Sequence, residues 1–163
     1  MQKILIFGNS GSGKSTLSKR LTQENGFKYL DLDILAWTET TGSELPERRA
    51  LSESVELINQ FIEKNKSWVV EGCYADLLAH LLESADEVIF LNPGVETCLN
   101  NCRNRPWEPH KYASIEEQNK NLDMLLEWVK RYPERDDEFS LSAHRKLFEK
   151  FSGKKDEYNA NLN

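Results

Sequence analysis

Long apolar runs are missing from this chain. None approaches the roughly 20 residues a helix needs to cross a bilayer, so a membrane-spanning role is not expected. Cysteine is scarce, at three in 163 residues, too few for a paired framework, and none stands at metal-ligand spacing from a histidine. Positive charge is in deficit, with 21 Lys and Arg against 27 Asp and Glu and a formal net charge of −6. Proteins that grip nucleic acid non-specifically neutralise many phosphates, so direct nucleic-acid binding is not expected. Internal repeats and low-complexity segments are lacking too. Met1 leads straight into the first apolar run, leaving no room for a leader peptide. The reading is one globular domain over residues 1–163 in a reducing cytoplasm.

What the chain does have is Gly8-Asn9-Ser10-Gly11-Ser12-Gly13-Lys14-Ser15, a full match to G-x-x-x-x-G-K-[ST]. With Gly near 7% in average usage, a chain of this length matches by chance roughly once in two hundred. The apolar run Ile4–Phe7 before it and the helical stretch after it supply the context the motif needs. The glycines let successive backbone N–H groups point inward as an anion cradle, and the next helix aims its positive end there. Lys14 would reach the β- and γ-phosphates, the Ser15 hydroxyl would ligate Mg²⁺, and Thr16 would lie near the α-phosphate. The expected ligand is therefore ATP or another nucleoside triphosphate, with Mg²⁺.

The rest of the chain alternates strand and helix, which predicts a three-layer α/β fold with a parallel sheet. Phe27–Leu30 reads as strand two and delivers Asp31 and Asp33 to the sheet's carboxyl edge, where ligands collect. Each is a site candidate, with capping of a short helix at Ile34–Trp37 by one of them the alternative. Thr38–Ser43 reads as a flexible loop, and Pro46 as the opening of a helix whose stripe is Leu51, Val55, Ile58 and Ile62. Arg48 and Arg49 near its start would bind an anionic acceptor or form a solvated face. Trp68–Val70 is a third strand ending at Glu71, a carboxylate that would hold Mg²⁺ through water or orient a nucleophile. Val88–Leu91 is the fourth. Val95, Cys98, Leu99 and Cys102 share a helix face, so both cysteines read as small apolar residues. Arg103 and Arg105 lead into the proline-bounded loop 106–109, where they would clamp phosphate or complement the helix dipole. Ser114 caps a long helix with Ile115, Leu122, Leu125, Leu126 and Val129 on one stripe. Phe139–Leu141 is a possible fifth strand, Ser142 a cap for a last helix bearing His144, Leu147, Phe148 and Phe151, and 154–163 a disordered polar tail.

Several stretches carry a family resemblance: Leu32–Trp37, Trp68–Tyr74, Val88–Leu91, Cys98-Leu99 with Arg103 and Arg105, and Trp128–Tyr132. The chain resembles the small P-loop kinases of the adenylate kinase and shikimate kinase group. More closely it resembles bacterial P-loop proteins named for DNA topology modulation and described as adenylate kinase-like. The resemblance implies a five-stranded sheet in the order 2-3-1-4-5, an acceptor-binding helical insert at about 38–64 and a lid at about 103–113. It also implies Asp31 as a Mg²⁺ carboxylate and Asp33 as the acceptor-binding one, matching the Asp-x-Asp of shikimate kinases. Neither the Asp-Gly-Phe-Pro-Arg of nucleoside monophosphate kinases nor the triple glycine of shikimate kinases is present; Glu71-Gly72-Cys73-Tyr74 stands there. The site expected is thus Lys14, Asp33, Arg103 and Arg105 for transfer, Gly8–Thr16 for the nucleotide, and Ser15, Asp31 and Glu71 for metal. Asp33, Arg48, Tyr74 and Arg131 would meet the acceptor. The function expected is ATP- and Mg²⁺-dependent transfer of the γ-phosphoryl group to a small acceptor, nucleotide-like or hydroxyl-bearing. The alternative is a regulatory NTPase tied to DNA topology.

Overall fold

The computed structural model describes residues 1–38 and 46–162. Five strands, β1 (Lys3–Gly8), β2 (Lys28–Asp31), β3 (Trp68–Gly72), β4 (Glu87–Leu91) and β5 (Lys154–Tyr158), form one sheet in the order β2-β3-β1-β4-β5. Every pairing is parallel, and the order is the expected one. β1, β3 and β4 are buried on both faces apart from Lys3, which is why they read as unbroken apolar runs.

Eight helices surround the sheet: α1 (Lys14–Asn25), α2 (Asp33–Ala36), α3 (Leu51–Lys64), α4 (Ala75–Ala79), α5 (Val95–Arg103), α6 (Ile115–Asn119), α7 (Leu122–Lys130) and α8 (Leu141–Lys150) among the described residues. One face of the sheet presents Leu5, Phe7, Val70 and Phe90 to Ile58, Leu77 and Leu147 of α3, α4 and α8. The other presents Ile4, Ile6, Val69 and Ile89 to Leu17 and Leu21 of α1. A third cluster joins α5 to α7 through Cys98, Leu99, Cys102 and Val129. All three cysteines are free thiols and buried. No helix among the described residues is long and apolar enough to cross a membrane.

Four local expectations are corrected. The fifth strand is Lys154–Tyr158, not Phe139–Leu141, so the stretch after Gly153 is no disordered tail. It is a charged edge strand, and edges are often charged. Arg145 holds Glu157 through both guanidinium nitrogens at 2.5 and 2.9 Å, and Lys154 pairs with Glu87 at 3.1 Å. The last helix is capped by Ser140, whose Oγ accepts from Ala143 N at 3.1 Å, rather than by Ser142. The helix after Pro46 begins only at Leu51. Before it, Trp37 and Arg48 form an antiparallel bridge and Arg49 N donates to Ala36 O at 2.8 Å. The long helix after Ser114 is two, broken at Lys120 and Asn121, and Gln118 in the first ties it to the preceding loop. Its amide accepts from Glu108 N at 2.8 Å and donates to Pro106 O at 3.0 Å. Of the expected flexible loop Thr38–Ser43, residues 39–43 lie outside those described.

Candidate active site

β1 ends in a loop that α5 and α7 press against the sheet. Gly11 has φ +79°, and a Cβ there would strike Cys98 O and lie 2.7 Å from Cys102 Sγ; only glycine fits both constraints. Asn101 Nδ2 donates to Gly11 O at 2.7 Å, and buried Asn9 donates to Val129 O at 3.3 Å. Lys14 Nζ donates to Asn9 O at 2.7 Å, folded across the loop it would leave for a phosphate.

Strand register sets the acids. Asp31 and Glu71 are direct partners on β2 and β3, and each is 2% exposed. Glu71 Oε1 accepts from Ser15 Oγ at 2.9 Å and from Tyr29 OH at 2.7 Å. Burial, and then the charge of Asp31, push the Glu71 carboxyl up to about 7, against the pull of Lys14. Asp31 Oδ1 accepts from Asp33 N at 2.9 Å, so Asp31 pins the start of α2 and the Asp33 side chain is left free of capping. Asp33 Oδ1 accepts from Tyr74 OH at 2.5 Å, and Oδ2 accepts from Lys111 Nζ at 2.7 Å. Lys111 also lies 3.0 Å from Asp31 Oδ2 and 3.9 Å from Glu108 Oε1. Burial raises the Asp33 carboxyl, but Lys111 and Tyr74 outweigh it and hold the group below its ordinary range. The same pairing, chiefly with Asp33 and then Asp31, raises Lys111 in spite of burial.

Lys14, Ser15, Asp33, Glu71, Glu108 and Lys111 line a cavity of about 520 Å³ that runs from the Gly8–Ser15 loop to Asp33 and is roofed by the 103–113 segment. Asp33, 40% exposed at its side chain, faces into it, as do Lys14, Glu71, Arg105 and Lys111. Arg105 lies 3.8 Å from Glu108 Oε2. Arg103 is outside the cavity wall, exposed, and donates to Asn100 Oδ1 at 3.1 Å. Arg131 is exposed at the end of α7 and also outside it. Arg48 does not reach the cavity either. It pairs with Asp76 and Glu138 at 3.1 Å each, with its guanidinium 4.9 Å from the centre of the Tyr74 ring. Tyr74 is 3% exposed and acts through its hydroxyl, which accepts from Trp37 Nε1 at 2.9 Å while donating to Asp33. The donors nearest the loop are a hydroxyl and buried carboxylates, and no cluster of three or more metal-binding side chains occurs among the described residues. That set suits Mg²⁺ completed by water and phosphate oxygens.

Sequence reasoning missed Lys111, Tyr29 and Gln118. Tyr29 was findable, since it stands two residues before Asp31 and strand alternation puts both on one face. Lys111 was not, because a lysine in a polar loop carries no periodic signal.

Residues 4–123 match a family model described as an AAA domain. A putative adenylate kinase from Sulfurisphaera tokodaii is 32% identical over 115 residues, covering 68% of this chain and 58% of that protein. The match therefore spans little more than half of that relative's length. A shikimate kinase from Leptospira biflexa serovar Patoc is 26% identical over 155 residues, 92% of this chain and 79% of its own. Among solved structures, shikimate kinase from Acinetobacter baumannii in complex with shikimate aligns over 100% of this chain and 86% of that one. Its TM-score of 0.53 at 16% identity is a likeness of fold.

Proposed function

We propose, for a chain that belongs to the AAA domain family, that it is a kinase transferring the γ-phosphoryl group of ATP to the hydroxyl of a small acceptor. The observation that carries this is the ionised Asp33 facing the same cavity as Lys14. A carboxylate so placed can accept the hydrogen bond of an acceptor hydroxyl beside the phosphates. Its names-alike, an adenylate kinase and a shikimate kinase, support the reading. The Gly8–Thr16 loop would cradle the phosphates. Ser15 would hold Mg²⁺, with Glu71 and Asp31 behind it through water, and the ion would neutralise charge between the phosphates. The segments at about 38–64 and 103–113 would serve as acceptor-side insert and lid of a single domain.

In the transfer, the acceptor oxygen forms a bond to the γ-phosphorus as the bridge to the β-phosphate breaks, and ADP leaves with the electron pair. Asp33 accepts the hydroxyl's hydrogen bond and aims its oxygen. A carboxylate held below its ordinary range is a weak base, which suits a loose transition state governed by positioning. The proton departs with product formation, to Asp33 or a phosphoryl oxygen. Lys14 and Arg105 stabilise the moving charge.

The test is acceptor-dependent ADP release by wild type, Lys14→Ala and Asp33→Asn. Lys14→Ala should lose nucleotide binding and turnover together. Asp33→Asn should keep nucleotide binding and lose turnover by on the order of 10²-fold or more. A wild-type rate that no acceptor raises would overturn the kinase reading. An ATP-requiring, salt-sensitive DNA shift would favour the regulatory alternative instead, against which the net charge of −6 counts.

A further inference from the structure

We infer that the acceptor is a hydroxyl compound carrying no phosphate, carboxylate or other anionic group. The inference rests on the kinase reading and narrows its substrate. Anionic acceptors are held by cations, arginine above all, because its planar fork matches phosphate and carboxylate oxygens. The acceptor end of this cavity is short of them.

The arginines near it are bound elsewhere. Arg48 is fixed by Asp76, Glu138 and Ala36 O. Arg49 donates to Leu35 O at 3.0 Å and Trp37 O at 3.2 Å. Arg135 lies 3.9 Å from the centre of the Trp128 ring and donates to Trp128 O at 2.8 Å. The segment 39–45, outside the described residues, reads Glu-Thr-Thr-Gly-Ser-Glu-Leu and holds no cation.

Among the described residues the cations lining the cavity are Lys14, Lys19, Arg20, Arg105 and Lys111. Lys14 belongs to the triphosphate loop. Lys19 and Arg20 lie about 8 Å further along α1 at 1.5 Å per residue, and α1 runs back from the carboxyl edge where Asp33 stands. Arg105 has its backbone by Cys102 and the Gly11 turn, and its guanidinium faces Glu108 Oε2 at 3.8 Å, so its charge is already partly met. At the acceptor end Lys111 is shared by Asp31, Asp33 and Glu108, and another basic side chain there, His110, faces Asp31 Oδ2 at 3.9 Å. A second anion placed beside these carboxylates would be repelled with little to offset it. A hydroxyl meets no such penalty, since it can donate to Asp33 as the Tyr74 hydroxyl already does.

Matched pairs test this: nucleosides against their 5′-monophosphates, sugars against sugar phosphates, and cyclic polyols against carboxylated ones such as shikimate. Each compound is assayed for ADP release with ATP and Mg²⁺. Each is also titrated by calorimetry into wild type and Asp33→Asn saturated with a non-hydrolysable ATP analogue. The expected result is binding or turnover of uncharged or amine-bearing members, preferred on the order of tenfold or more over their anionic counterparts, with the preference lost in Asp33→Asn. Turnover of a monophosphate or carboxylate overturns the inference while upholding the kinase. Acceptor binding with the expected preference but no turnover upholds the inference while removing the kinase. Equal or absent binding by both members of every pair overturns the inference.

Discussion

The Asp33 carboxylate has two hydrogen-bond partners, and they do different work. Lys111 sets its charge, whereas the buried Tyr74 hydroxyl, itself fixed by Trp37 Nε1, sets its direction. Tyr74→Phe keeps the ring packed against Arg48 and removes only the hydroxyl. A hydrogen bond to a charged group is worth about 1.5–3 kcal/mol, so kcat is expected to fall on the order of ten- to a hundredfold with ATP affinity unchanged; an unaltered kcat would remove Tyr74 from the account. A second residue-scale expectation concerns pH. His144 is wholly buried. Its Nε2 lies 2.8 Å from Cys73 O, which can only accept, so Nε2 carries the proton and Nδ1 accepts from Tyr132 OH at 2.6 Å. Burial pushes the imidazole from 6.5 down to about 4, and unfolding therefore takes up a proton in that window. The stabilisation is full above pH 6.5 and is lost as pH falls through 4. Thermal midpoints over this range should decline in wild type and decline less steeply in His144→Gln; parallel curves would contradict the assignment.

At the scale of elements, the loop of residues 8–15 and the 103–113 segment are each held by a few contacts that mutation can address. Gly11→Ala forces a Cβ into α5 at a positive φ. Nucleotide affinity should drop on the order of tenfold or more, since the cradle must shift from its phosphate-binding geometry. Gln118→Ala leaves Glu108 N, a buried donor, without its partner and should cost about 1–3 kcal/mol. The accompanying readout is faster amide exchange across 105–112, and unchanged exchange there would show that Gln118 does not hold that segment. The same contacts explain what the sequence could and could not disclose. The loop from Gly8 to Ser15, the buried strands and the carboxylates at their ends were legible because motif and burial leave local signals. The break between α6 and α7 was not, because the apolar stripe from Ile115 to Val129 continues across it. Nor was β5, because Lys-Lys-Asp-Glu-Tyr lacks alternation and is held by partners from α8 and β4.

For the molecule as a whole, alternating strands and helices gave away the parallel sheet, while its order came only with the family resemblance; that order places Asp33, Glu71 and the glycine-rich loop at one carboxyl edge. Charge is mixed along the cavity: Lys14 and Glu71 stand by the glycine-rich loop, and Lys111 joins the carboxylates Asp31, Asp33 and Glu108 at the other end. Of the arginines picked from sequence, only Arg105 lines the cavity, since side-chain direction is a tertiary property that spacing does not carry. Arg105→Ala is expected to slow turnover, and Arg103→Ala to leave it within about twofold, as for an exposed residue. The central claim is that the cavity transfers a phosphoryl group rather than merely hydrolysing ATP. Following the γ-phosphate label of ATP tests it most directly. The account expects the label in an organic acceptor with wild type and in none with Lys14→Ala; label recovered from wild type only as free phosphate, whatever acceptor is offered, would contradict it.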